Sequence, residues 1–138
     1  MKIKVKKFHE DAKLPDCFSA STLFSLYTLE DVILKVNTKE YVRTGIAIEI
    51  PEGYILDLYP VPWIAYRFPN YITGGTRLVN NDFLYEIGIP IRNNSHIKDL
   101  KISKHKEIAI GIVRKVESIE FEEVADITDF DCTHKGGK

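Results

Sequence analysis

Apolar residues recur at every second position in short runs, and turn-forming residues break each run before it reaches the length of a helix. A strand places alternate side chains on opposite faces, so this pattern specifies half-buried strands. Lys2-Ile3-Lys4-Val5-Lys6 reads as an edge strand with its lysines on the wet side, where they guard the edge against aggregation. Val32–Val36 and Tyr41–Arg43 flank an Asn37-Thr38-Lys39 turn, and Gly45–Ile50 stops at Pro51-Glu52-Gly53 before Tyr54–Tyr59 continues. Further strands are expected at Phe83–Ile91, Ile108–Val113 and Ile119–Val124, with turns at Arg92–Ser95 and Lys104–Lys106. No stretch of 12 residues holds a 3.6-residue period, and Thr28–Asp31 offers at most one helical turn. The fold class is therefore all-β, a sandwich or jelly roll.

Length and charge narrow the function classes. The chain has 138 residues, 44% of them hydrophobic, enough for one domain with a buried core and too apolar for intrinsic disorder. Nineteen Lys and Arg against 20 Asp and Glu leave a formal net charge of -1, which excludes a sequence-independent grip on a nucleic acid polymer. Cys17 and Cys132 show neither CxxC nor metal-ligand spacing. The histidines His9, His96, His105 and His134 pair with no Cys or carboxylate at ligand spacing, so no metal site is expected. No apolar run approaches the roughly 20 residues of a membrane span, and MKIKVKKFHE is not a signal peptide. A cytoplasmic, membrane-free protein is expected.

Several strings resemble one family. Lys13-Leu14-Pro15, Leu26-Tyr27, Asp31–Lys35, Phe83–Gly88 and above all Thr44-Gly45-Ile46-Ala47-Ile48-Glu49-Ile50-Pro51-Glu52-Gly53-Tyr54 are similar to the trimeric dUTP pyrophosphatases (dUTPases). The resemblance covers the chain up to its tail. It implies a dUTPase-like jelly-roll β-barrel over residues 1–125, a flexible C-terminal tail over 126–138, and a homotrimer with pockets shared between subunits.

The chemistry of that family is carried by five motifs, and each is altered here. The aspartate of Gly-x-Asp-Leu-Tyr, which helps hold the triphosphate-bound magnesium, falls on Ser25, with Leu23 at the glycine. The phosphate cradle Pro-Arg-Ser-Gly-Leu-Ala becomes Pro60-Val61-Pro62-Trp63-Ile64-Ala65, in which Pro62 has no N–H to donate and Trp63 occupies the glycine position. In the uracil-reading hairpin, the aspartate that activates water falls on Asn80, and the tyrosine that stacks on deoxyribose falls on Phe83. An amide is no general base at neutral pH, and that step is commonly worth about 10²–10⁴-fold. Gly-Asp-Arg-Ile-Ala-Gln becomes His105-Lys106-Glu107-Ile108-Ala109-Ile110, which places Ile110 at the phosphate-binding glutamine. Of the glycine-rich arm only Cys132–Lys138 is left.

No catalytic residue is assigned, and no cofactor is expected beyond Mg²⁺ should hydrolysis be retained. Six aromatics lie between Tyr54 and Tyr71, where the phosphate cradle should be. Tyr59, Trp63, Tyr66, Arg67, Tyr71 and Arg77 would rim the shared pocket, since flat rings and guanidinium forks suit a base and a phosphate. Alternatively, Trp63 and Tyr66 plug the vacated site or pack between subunits. Asn80, Asp82 and Phe83 could read a ligand, or the Asn and Asp residues cap a turn. Gly74-Gly75-Thr76 could cradle phosphate or form a plain hairpin turn. The expected function is a catalytically inactive dUTPase-like trimer that sequesters or senses a nucleotide-type small molecule, with a viral or phage sponge in the host cytoplasm as one form. An active dUTP diphosphatase and a protein-interaction trimer are the alternatives.

Overall fold

The computed structural model describes residues 1–17, 22–61, 71–73 and 77–127, with backbone alone at 60, 71–73, 77 and 78. Those residues form strands and no helix. In chain order they are β1 (Lys4–Lys7), β2 (Asp16–Cys17), β3 (Leu23–Tyr27), β4 (Val32–Leu34), β5 (Lys39–Arg43), β6 (Ile46–Glu49), β7 (Tyr54–Pro60), β8 (Tyr71–Thr73), β9 (Arg77–Val79), β10 (Gly88–Asn93), β11 (Leu100–Ile102) and β12 (Glu107–Lys115). Four antiparallel sheets result: β1-β6, β5-β10-β8, β11-β4 and the five-stranded β2-β3-β12-β7-β9.

The inner faces meet in one apolar core. Leu26, Leu34, Ile46, Leu56, Ile87, Ile91 and Ile108 are fully buried there, each contributing about 1.5–3 kcal/mol relative to exposure before entropy is counted. Gly111 in β12 permits the closest approach, because a Cβ there would lie 2.6 Å from the Phe24 ring and 3.1 Å from Leu56. Gly45 takes φ +75° at the entry to β6, and a side chain there would also collide with Ala12 and Leu29. Asn93, fully buried, donates from Nδ2 to the carbonyls of Leu34 and Lys98 and accepts from the Ser95 amide, so its polar atoms tie β10 to the β4-β11 sheet.

Most expected strands are present with ends displaced by a residue or two, and Asn37 and His105 adopt left-handed φ at the expected turns. Two expectations are corrected. Phe83–Ile87 is not ladder: β10 begins at Gly88, and Ile87 is instead held by its amide on the Ile46 carbonyl and its carbonyl on the Thr44 amide and hydroxyl. Its alternation reflects burial of Ile87 without strand pairing. Ile119–Val124 pairs with no described strand, and Phe121 is 93% exposed. Thr28–Asp31, with room for one helical turn at most, forms a bend in which Thr28 Oγ1 donates to the Glu30 carbonyl.

Candidate functional site

Because β12 lies between β3 and β7, three of the altered motifs converge on one sheet. The register pairs Ile110 with Ser25 on one side and with Tyr59 on the other. Directly opposed residues share a face, so Ser25, Ile110 and Tyr59 form one row. The row lies on the face away from the core, since the neighbouring Phe24, Gly111 and Leu58 point inward.

At the β3 end of this row Ser25 is buried, and its Oγ donates to Glu107 Oε2. Beside them the Tyr27 hydroxyl donates to Asp16 Oδ2 at 3.2 Å. Lys13 Nζ lies 3.8 Å from that carboxylate and 4.0 Å from the Tyr27 ring centroid. Burial pushes the Tyr27 phenol above its ordinary pKa, Asp16 and Glu107 add to the rise, and the Ser25 hydrogen bond opposes it. This end of the face is negative.

At the β7 end Asp57 is buried beneath Arg114 and Tyr59. Its Oδ2 accepts from Arg114 Nε at 2.5 Å, and Arg114 Nη2 also donates to the Tyr59 hydroxyl at 3.1 Å. The hydrogen bond to Asp57, joined by that to Tyr59, raises the Arg114 pKa. Asp57 Oδ1 is buried with no hydrogen-bond partner among the described residues.

The hairpin motif follows β9. Asn80 Oδ1 accepts from the Asp82 amide at 3.1 Å, and the Phe83 amide donates to the Asn80 carbonyl at 3.2 Å. This is an Asx turn, so the Asn80 side chain is already engaged by backbone. Asp82 is exposed, while Phe83 packs half-buried on the core and meets Tyr85 edge-on at 5.5 Å.

The structure thus brings Asn80, Asp82 and Phe83 together in one turn and places Tyr59 on the outer face of the large sheet. By backbone, Tyr71 lies in β8 of the three-stranded sheet and Arg77 opposite Leu58 in β9 of the five-stranded one. Trp63, Tyr66, Arg67, Gly74–Thr76 and the arm at 132–138 lie outside the described residues. Residue-by-residue reading missed the Ser25–Glu107 and Asp57–Arg114 pairs. The first was signalled by two altered motif positions that belong to adjacent strands.

Among the described residues no three His, Cys, Asp or Glu side chains are grouped to hold a metal by themselves. A groove of about 600 Å³, lined by Met1, Ile3, Val5, Leu14, Phe24 and Val113 among others, is largely apolar and includes none of Ser25, Ile110 and Tyr59.

No protein-family model matches the chain. Curated relatives do. The chain is 31% identical over 130 residues to a deoxyuridine 5'-triphosphate nucleotidohydrolase of Helicobacter pylori, covering 94% of this chain and 89% of that protein. It is 28% identical over 130 residues to the protein of the same name from Nautilia profundicola, covering 94% and 91%. Among solved structures, the dUTPase of Staphylococcus bacteriophage 80alpha superposes with a TM-score of 0.85 at 17% identity, covering 93% of this chain and 99% of the other. A mutant dUTPase of phage phi11 of S. aureus, whose structure is described as revealing coordination of a structural Mg(II) ion, gives 0.86 at 17% identity, covering 94% and 100%. These likenesses identify the all-β arrangement as the jelly-roll fold.

Proposed function

The chain belongs to the deoxyuridine 5'-triphosphate nucleotidohydrolase (dUTPase) family, and from that premise we propose that it binds a nucleotide-type small molecule without hydrolysing dUTP. The observation that carries this reading is Asn80. Where the family places the carboxylate that activates water, this chain has an amide whose oxygen caps its own turn. It cannot take a proton at neutral pH, and turning toward a substrate would give up its hydrogen bond to the Asp82 amide. The rest of the row supports the same reading, since Ile110 stands where an amide would hold phosphate and Val61 and Pro62 replace the cradle.

Binding remains feasible because the scaffold is kept. Ser25, Ile110 and Tyr59 stay aligned across three strands, and the turn at 80–83 stays formed. The pocket is completed by neighbouring copies in a homotrimer, as the family membership implies, with the aromatic residues after Tyr59 in the sequence supplying stacking surface. In a cell such a protein sequesters or senses its ligand, as a nucleotide sponge would.

The test has two arms. Thermal shift against a panel of mononucleotides, cyclic nucleotides and ADP-ribose types should raise the melting temperature for at least one ligand, by the mass-action amount. Incubation with dUTP and Mg²⁺ should release pyrophosphate no faster than buffer. Release at an ordinary enzymatic rate would instead establish the second reading, an active dUTPase. That reading is favoured by the names of the curated relatives and by the buried Asp57 carboxylate on the same sheet face.

A further inference from the structure

We propose that the Asp57–Arg114 pair selects a ribonucleotide, Asp57 taking the ribose hydroxyls and Arg114 the phosphate. The inference rests on the nucleotide reading above and names the class of its ligand. One atom motivates it. Asp57 Oδ1 is buried and has no hydrogen-bond partner among the described residues, on a side chain only 7% exposed. A buried carboxylate oxygen left without a donor is costly, so it calls for a donor from outside those residues.

The sheet sets this carboxylate beside the polar row. Leu56 and Leu58 face the core, so Asp57 between them lies on the outer face, opposite Ile112, as Tyr59 lies opposite Ile110. Arg114 Nε donates to Oδ2 at 2.5 Å, its Nη2 donates to the Tyr59 hydroxyl at 3.1 Å, and that hydroxyl lies 3.4 Å from Oδ2. Oδ2 is therefore held from two sides while Oδ1 is held from none of the described ones. Of these three side chains Arg114 is the most solvated, with half its surface exposed, so it is the one able to swing outward.

A phosphate competes with Asp57 for the guanidinium, whose planar fork suits it. Drawing Arg114 outward uncovers the carboxylate, and the two hydroxyls of a ribose then give one donor to each oxygen, replacing the bond that Arg114 gave up and supplying the one that Oδ1 lacks. Carboxylates elsewhere read ribose hydroxyls in this way. Phosphate alone would strand a buried charge, and a nucleoside alone could not draw Arg114 away. A ligand therefore needs both groups close together, which the sugar and phosphate of a ribonucleotide provide. A deoxyribose leaves one oxygen unpaired.

Calorimetry on the full chain tests this with the four ribonucleoside 5'-monophosphates, their 2'-deoxy and 2',3'-dideoxy counterparts, the free nucleosides and orthophosphate. At least one ribonucleotide should bind about tenfold or more tightly than its dideoxy counterpart, with the 2'-deoxy form between them. Its nucleoside and orthophosphate should each bind more weakly than the nucleotide. Asp57→Asn, which keeps the shape and removes the charge, should bind the ribo and dideoxy forms alike. Binding of no ribonucleotide, equal affinity of wild type for the ribo and dideoxy forms, orthophosphate bound as tightly as the nucleotide, or a preference that survives Asp57→Asn would each overturn the assignment. The wild-type comparison needs no variant, so an unstable Asp57→Asn leaves the test intact. The nucleotide reading itself falls only if the whole ligand panel fails, so the two failures are distinguishable.

Discussion

The two faces of the β2-β3-β12-β7-β9 sheet obey different rules. On the inner face Leu26, Leu56 and Leu58 meet Gly111 and Phe24, and each position is decided by volume. On the outer face Ser25 is matched to Glu107 and Asp57 to Arg114, so each position is decided by its partner. An inner residue can be read alone as apolar and of a certain size. An outer residue makes sense only with the strand beside it.

This contrast sets the order of expected effects. Leu56→Ala should be the most damaging, because it removes a fully buried side chain that touches the Gly111 seam. A loss of about 2–5 kcal/mol is expected in urea unfolding. A loss below 1 kcal/mol would mean that the face collapses around the gap and that volume does not rule it.

The pairing rule is broken next by Arg114→Met. Among the described residues Asp57 would then keep a buried carboxylate with the Tyr59 hydroxyl at 3.4 Å as its remaining partner, and because half of the Arg114 side chain is solvated, the loss in urea unfolding should be smaller than that of Leu56→Ala. Adding Asp57→Asn should recover part of it, since removing both charges costs less than stranding one. If the double variant is as unstable as the sum of the singles, the two residues are independent and the contrast between faces fails.

The same contrast explains what could be read before the fold was known. Thr44–Tyr54 specifies β6, its turn and β7 because turn residues bound clean alternation, and the structure has both strands, with β6 paired to β1 and β7 to β12 and β9. β3 escaped notice because Phe24, Ser25 and Leu26 are all buried, which erases the two-residue signal. Ile119–Val124 carries the signal and pairs with nothing described, because alternation states that a segment has two faces and not what will cover them. The outer-face pairs were invisible for a topological reason: Ser25 and Glu107 lie 82 residues apart, and only the register of β3 on β12 makes them neighbours. Asn80 was legible from the motif alone as an amide at the position of the family's aspartate, whereas its engagement in an Asx turn needed coordinates.

The smallest effect should come from a polar pair off this sheet. Arg43 meets Glu86 through two 3.0 Å contacts, and the Gly45 amide donates to the same carboxylate at 2.9 Å. Burial alone would raise the Glu86 carboxyl, but the Arg43 hydrogen bonds, the Gly45 amide and the nearby positive charge outweigh it, and its pKa is lowered. A carboxylate held below its unfolded value adds stability that is fully present above the unfolded pKa, about 4.3. That stability is lost as the pH falls through the folded value. Glu86→Gln should therefore destabilise by no more than about 1 kcal/mol at pH 7, because Arg43 is half solvated, and should flatten the fall in urea midpoint between pH 5 and the acid limit. Asp57→Asn should cost more than Glu86→Gln at pH 7, because Asp57 is the more deeply buried of the two carboxylates. Equal costs would show that burial does not amplify pairing in this fold, and the distinction between the outer face and ordinary surface would disappear.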